Sequence, residues 1–412
     1  MPVALAQLEL DDRLGEQLRA LRATRNGAVR ILVRSRGWPL GWLRVSSEPR
    51  QLRPEAMVQA VAAQLAPQVW AHLSQPQQSA PTNGGPEIDV VVCTRNRPRD
   101  LEHSLTALAA QRYRRYRVIV VDNAPTDDAT EQVARRFGVG YVVEPRPGLD
   151  NARNRGLAAA TAPIVAYTDD DALADPGWLG AVAAGFFSDD VDCVTGLVLP
   201  SELETVDQIL FEDVYGGMGR GFCERIISFR DRRAWYRPHG FGVGANMAFR
   251  RAALEQMEGF DPRLDTGTPT GGGGDLDAFQ RVAELEGTVV YRPDAIVSHR
   301  HRRTRRALQR QLFDNGRGYG AFYLATFARV RGVERLRVAG AAAHWFFGLL
   351  VVRLARKLVR RERLPLKLIL AEIAGATVAP FCLFRAHRLR AASDTTAAAV
   401  TAKVAADASQ GR

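Results

Sequence analysis

The sequence predicts an α/β protein built around a parallel sheet with helices on both faces. Three observations carry that prediction. Short, continuous apolar runs alternate with segments of helical periodicity from Ile88 to Tyr167, as buried parallel strands and their helical crossovers do. Each run ends in polar residues, at the carboxyl ends where open α/β sheets bind ligands. The 412 residues, 46% hydrophobic and 25% charged, have the composition of an ordinary globular chain of two or three domains.

The elements follow in chain order. Residues 1–75 read as a small α/β domain, with strands at Ala28–Val33 and Trp42–Val45. Turn chemistry lies between them at Ser35-Arg36-Gly37-Trp38-Pro39, and Pro54 opens a helix running to about Leu73. Residues 76–86 are polar and Pro/Gly-rich, which makes them a linker. Strands are then expected at Ile88–Cys93, Val118–Val121, Tyr141–Val143 and Ile164–Tyr167. Helices are expected at Asp100–Gln111 with Asp100 as N-cap, at Asp128–Phe137 and at Asn151–Ala160.

Charge is divided unevenly. The chain totals +11, yet residues 299–412 hold 23 basic and 6 acidic groups while the first 298 hold 33 and 39. A basic tail on an acidic body suits an anionic membrane, a phosphorylated ligand or a nucleic acid. Only three of the basic residues are lysines (Lys357, Lys367, Lys403), which also fits a compositional bias toward Arg. Four scattered cysteines without a CxxC pair argue against structural zinc and a disulfide scaffold, and favour a reducing compartment. Met1–Leu10 has no secretory-signal pattern. With no run of about 18 uncharged apolar residues, a polytopic membrane protein is not expected.

Chemistry concentrates at four strand ends. The first closes in Thr94-Arg95-Asn96-Arg97 and the second in Asp122-Asn123. Arg146 to Asn154 precedes and opens the helix after the third, and the fourth closes in Thr168-Asp169-Asp170-Asp171. Three adjacent carboxylates at the end of an apolar strand repel one another unless a cation joins them, and alternate ones can reach a hard divalent ion. A solvated loop capping the next helix is the other reading. Arg97 and Asp100 read as surface and cap.

Val90 to Arg97, Val120 to Asn123, Gly148 to Gly156 (GLDNARNRG) and Asp169-Asp170-Asp171, in that order, resemble a family 2 glycosyltransferase. The resemblance implies a GT-A fold over residues 87–303, a nucleotide-diphosphate sugar as donor, Mn²⁺ or Mg²⁺ as cofactor and inversion at the anomeric carbon. It implies that Thr94, Arg95, Asn96, Asp122, Arg153, Asp169 and Asp170 bind the nucleotide-sugar, and that Asp171 ligates the metal with His299. A UDP-sugar is the expected donor, with GDP- and dTDP-sugars used by similar proteins.

Gly271 to Phe279 (GGGGDLDAF) forms a second acidic cluster. An inverting transfer needs one carboxylate to take the acceptor hydroxyl's proton. The family pattern here is Glu-Asp-x-Asp, which aligns Asp275 with the base and puts Gly274 where a Glu is usual. That departure leaves Asp277 as the competing choice, or as an acceptor-side residue. His239 to Arg251 resembles the family's acceptor-side strand, giving Gly244 and Asn246 as acceptor-side residues. Trp235 and Tyr236 would stack on an acceptor ring or fill the core, and Phe211–Phe222 reads as a mobile loop.

Residues 304–390 form a helical, basic extension with two apolar stretches, Val338–Val352 and Leu368–Phe384, each near or below spanning length. Helices lying in the plane of an anionic membrane and helices covering the catalytic domain are both consistent with this. Residues 391–412, rich in Ala and Thr, are expected to be disordered. The function expected is metal-dependent transfer from a nucleotide-diphosphate sugar to a hydroxyl-bearing acceptor, whether glycan, lipid-linked sugar or small molecule. The setting would be cell-envelope glycan, glycolipid or secondary-metabolite glycosylation. The expected location is the cytoplasm, with or without peripheral attachment to the membrane's cytoplasmic face, and no nucleic-acid partner is expected. A silent sugar-nucleotide-binding scaffold and a sugar-1-phosphate nucleotidyltransferase are the alternatives. The latter usually has a Gly-rich phosphate loop where this chain has Thr94-Arg95-Asn96-Arg97.

Overall fold

A computed structural model describes residues 2–11, 16–17, 28–46, 48, 50–74, 84–230 and 236–410, with side chains in the last helix followed to Ala391. Trp235 and most of the expected linker lie outside the described residues. The chain divides into two compact units. One comprises Met1–Arg146, Ala152–Gly259 and Ala278–Leu308, and the other Pro147–Asn151, Phe260–Asp277 and Gln309–Arg412. Contacts thus group residues 1–75 with the large sheet, and 260–277 with the C-terminal helices, across the boundaries expected from composition.

In the first unit, β1 (Val3–Glu9) runs parallel to β2 (Ala28–Ser35), which pairs antiparallel with β3 (Trp38–Ser46). The β2–β3 turn needs only Arg36 and Gly37, both at positive φ (52° and 83°), the conformation of a tight two-residue hairpin. Helix α1 (Pro54–Leu73) buries Met57 and Leu65 against Leu8, Ile31 and Leu43. This sheet leans on its neighbour: Leu32 packs with Leu197, Leu199 and Ile296, and Arg34 pairs with Asp175 at 2.6 Å.

The large sheet contains β4 (Ile88–Thr94), β5 (Tyr116–Asn123), β6 (Gly140–Glu144), β7 (Ile164–Asp169), β8 (Ala172–Ala174), β9 (Val191–Pro200), β10 (Arg225–Ser228), β11 (Met247–Arg250) and β12 (Thr288–His299), in the order β10-β12-β9-β11-β7-β4-β5-β6, with β8 on β12. The α/β class is as expected, but the sheet is mixed. β4 through β7 are parallel, whereas β11 runs antiparallel to β7 and β9, and β8 and β10 antiparallel to β12. Apolar runs mark a strand as buried without giving its direction. Helices α2 (Pro98–Ala109), α3 (Ala129–Phe137), α4 (Leu149–Ala159) and α5 (Trp178–Gly185) connect or follow these strands. Helix α2 starts two residues before the expected Asp100, because Pro98 takes the first helical position and Arg97 becomes the N-cap.

Helix α6 (Val206–Leu210) has a capping box formed by Thr205 and Gln208 and continues as a π-helical turn, Phe211–Tyr215. The start of the expected mobile loop is therefore ordered, with Phe211 buried edge-on against His301. Helices α7 (Arg251–Gln256) and α8 (Gly274–Glu284) precede β12.

The second unit is mainly helical: α9 (Arg305–Arg329), α10 (Val333–Ala343) running through a π-helical turn (His344–Val351) into α11 (Val352–Leu358), and α12 (Leu366–Gln410). The Ala-rich tail expected to lack structure continues α12 to Gln410, as the best helix-forming residue favours. Backbones meet closely where α9 crosses α12. A Cβ on Gly316 would lie 2.0 Å from Glu372 O, and one on Gly375 2.0 Å from Phe313 O. The two apolar stretches are also longer than expected, since helix continues through their flanks. Val333–Leu358 and Leu366–Ala391 each span 26 residues, long and apolar enough to cross a bilayer. Glu372 is buried inside the second and pairs with Arg353 at 3.2 Å.

Candidate active site

The carboxyl ends of β4, β5 and β7, with the end of β12, bring most of the sequence-predicted residues of the first unit together. β4 lies between β5 and β7, with Thr94 opposite Asp122 and Cys93 opposite Asp169. β12 delivers His299 to the same end, where β8 pairs His299 with Ala172.

Three donor atoms, from Asp169, Asp171 and His299, lie within 4.8 Å of one another. His299 Nε2 is 3.1 Å from Asp171 Oδ1 and 3.8 Å from Asp169 Oδ2. Two carboxylates and an imidazole suit a divalent ion such as Mn²⁺, which accepts both donor types, so the residues present fit the expected cofactor. Burial works to raise the Asp171 carboxyl, but the hydrogen bond and charge of His299 outweigh it and bring it to about 2. For His299 burial favours the neutral ring, and the Asp171 contact prevails to raise it.

Asp170 points elsewhere. Its Oδ2 accepts a 2.8 Å hydrogen bond from Thr94 Oγ1, and its Oδ1 lies 3.2 Å from Arg97 Nη1. Burial pushes its carboxyl up to about 6, against the pull of Arg97. Arg97 also reaches Asp171 Oδ2 at 3.5 Å. Arg97 is exposed, as expected of a surface residue, and its guanidinium nevertheless lies against Asp170 and Asp171. The available signal was Pro98, which by starting the helix makes Arg97 the N-cap at the mouth of the crevice.

Asp122 is fully buried. Its Oδ2 accepts from Tyr141 OH at 2.9 Å, while Oδ1 has no hydrogen-bond partner among the described residues. Burial raises this carboxyl. Asn96 sits at φ 55° and accepts a hydrogen bond from Thr126 N at 3.1 Å, tying the β4 and β5 end loops together. Arg95 is exposed beside it, and Arg153 is buried on α4.

Two acceptor-side expectations are corrected. Asn246 is buried, and its side chain is committed within the fold. Nδ2 donates to Leu197 O (3.1 Å) and Ala295 O (2.8 Å), and Oδ1 accepts from Trp178 Nε1 (2.8 Å). It braces the sheet, leaving no face for an acceptor. In the second unit Asp277 is also fully buried and holds Arg329 at 2.8 Å. Asp275 is half-buried, with Oδ1 accepting from Leu276 N at 2.9 Å. Gly244 is buried in the turn entering β11, and Tyr236 is buried as core.

The profile of Glycosyl transferase family 2 matches residues 89–258. An uncharacterized glycosyltransferase of Mycobacterium tuberculosis is 47% identical over 112 residues, 27% of this chain and 49% of that protein. The chain thus spans about half the length of that relative. A glucosyl-dolichyl phosphate glucuronosyltransferase of Haloferax volcanii is 26% identical over 52% of this chain and 69% of its own. Among solved structures, a mannosyltransferase of Pyrobaculum calidifontis in complex with GDP-Man and Mn²⁺ is 21% identical with TM-score 0.44, covering 85% of this chain and 90% of that one. Residues 89–258, the segment that supplies the carboxylates at the strand ends, thus match Glycosyl transferase family 2.

Proposed function

We propose that the chain is an inverting, divalent-metal-dependent glycosyltransferase that moves a sugar from a nucleotide-diphosphate donor, a UDP-sugar first among candidates, to an acceptor hydroxyl. The observation that carries this reading is the convergence of Asp169, Asp171 and His299 within 4.8 Å at the sheet's ligand-binding end.

A bound Mn²⁺ or Mg²⁺ supplies charge neutralisation for the departing diphosphate. Asp171 and His299 hold it, with Asp169 at the ribose side. Thr94 and Arg97 fix Asp170, and Arg97 adds positive charge beside the diphosphate. Asp122 offers Oδ1 to an N–H of the nucleobase. Asp275 takes the acceptor's proton as the new C–O bond forms and the bond to diphosphate breaks, so the proton ends on its carboxylate. One displacement inverts the anomeric centre.

The acceptor we favour is held at a membrane, as a lipid-linked sugar. Phe347, Leu358, Phe381 and Phe384 are exposed on the two long apolar helices, beside the basic residues Arg356, Arg360 and Arg361. The Haloferax relative's name also denotes a dolichyl-phosphate-linked substrate.

The test is nucleotide titration with and without Mn²⁺, on the wild type and Asp171→Ala. Metal-dependent affinity that disappears in the variant supports the reading. Equal affinities in all four titrations would remove Asp171 as ligand.

A further inference from the structure

The glycine at position 274 is not required by its backbone. Gly271, Gly272 and Gly273 all have left-handed φ (72°, 154° and 107°), whereas Gly274 does not. What excludes a side chain there is Asp150. A Cβ on Gly274 would lie 1.8 Å from Asp150 Oδ2, 2.8 Å from Oδ1 and 2.6 Å from the carboxyl carbon. Contacts under 3 Å force a neighbour to move, and Asp150 is fully buried on a short side chain with little room to do so. The space belonging to a residue-274 side chain is filled by a carboxylate from α4.

Asp150 is also tied to the loop that leads to Asp275. Its N–H donates to Asp265 Oδ2 at 2.7 Å, and Leu149 N to Thr266 O at 3.4 Å. Asp265 N donates to Thr270 Oγ1 at 3.1 Å, which in turn donates to Arg263 O at 2.7 Å. One main-chain bond and three through the Asp265 and Thr270 side chains hold the start of the loop, and the Asp150 carboxylate packs on its end at the first turn of α8. The unsatisfied N–H groups and dipole of a helix N-terminus favour negative charge there.

We propose that Asp150 supplies the carboxylate that family 2 sequences usually carry at position 274, and that it is a positioning residue for Asp275. This rests on the reading of Asp275 as the base.

The experiment is a four-variant exchange: wild type, Asp150→Ala, Gly274→Glu and Asp150→Ala/Gly274→Glu. Thermal unfolding is measured on each. Release of nucleoside diphosphate from UDP-, GDP- and dTDP-sugars with Mn²⁺ is measured alongside. Each single variant is expected to unfold at lower temperature and lose at least tenfold in kcat with donor KM little changed. The double variant should recover most of both losses, because the carboxylate has returned from the other segment. A double variant no better than the poorer single one overturns the proposal, as does Gly274→Glu behaving like wild type. Asp150→Asn separates charge from packing: loss of turnover at wild-type stability supports the carboxylate role, and full turnover overturns it. Asp275→Asn keeps the two readings apart. If it retains full turnover the base assignment fails and the positioning role falls with it, whereas failure of rescue beside an inactive Asp275→Asn rejects Asp150 alone.

Discussion

Arg97 Nη1 lies 3.2 Å from Asp170 Oδ1, placing a guanidinium next to the carboxylates that would hold a cation. A fixed positive charge there opposes metal binding and favours an anionic diphosphate. Arg97→Gln is therefore expected to bind Mn²⁺ alone several-fold more tightly and the nucleotide-sugar less tightly. Calorimetric titration of each ligand checks both signs, and a parallel loss of both affinities would mean that Arg97 acts only by holding Asp170.

Asp275→Asn preserves shape while removing the proposed proton acceptor. Transfer should fall by roughly 10²–10⁴, the range general-base contributions cover, while binding of the nucleoside diphosphate stays at wild-type strength. Single-turnover assay and equilibrium titration on the same preparation make the comparison.

Asp89 is an acid-stability determinant away from the site. Its Oδ2 accepts from Thr161 N (2.6 Å), Ala162 N (2.8 Å) and Arg117 Nη2 (2.8 Å). Burial raises its carboxyl, yet Arg117 and the two backbone N–H groups prevail and hold it below the usual range. A depressed carboxyl contributes stability above its unfolded value near 4, and that contribution is lost as pH falls through the folded value. Asp89→Ala should cost about 1–3 kcal/mol at pH 7, by leaving donors unsatisfied. The gap should narrow below about pH 4, as read by urea unfolding at both pH values.

The C-terminal helices offer a surface test. Arg356, Arg360 and Arg361 are exposed next to the apolar face. At about 1 kcal/mol per basic residue near an anionic bilayer, Arg356→Gln/Arg360→Gln/Arg361→Gln should weaken binding to phosphatidylglycerol-containing vesicles by roughly 100-fold. Binding to pure phosphatidylcholine vesicles should change little. Co-sedimentation of the full chain distinguishes these results, and no binding of the wild type to either vesicle type would assign the helices a packing role.

Much of the candidate site was legible because burial and chemistry separate cleanly along these strands. Val90 to Val92 and Val118 to Val121 are uninterrupted apolar runs, so Thr94 and Asp122 stood out at their ends. Asp169 and Asp171 stood out likewise. His299 is distant in sequence, and its pairing with the cluster depends on β12 reaching the end of the sheet. Asn246 misled because an amide among small residues resembles a ligand contact, and nothing local reveals that Trp178, Leu197 and Ala295 will satisfy it. Asp277 misled in the same way, its partner Arg329 lying on another helix. Direction within the sheet and the length of the apolar helices were also hidden. Periodicity reports which face is buried, not which way a strand runs or how far its neighbours extend a helix.

The proposed replacement of a residue-274 carboxylate by Asp150 bears on descent among the relatives of this chain. Passing between the two arrangements one mutation at a time crosses an intermediate that either lacks the carboxylate or crowds two into one space. Related chains should therefore hold an acid at one position or at the other, and seldom at both. Positions 150 and 274 should covary, and a linear motif search that demands an acid before Asp275 would discard active members of the lineage.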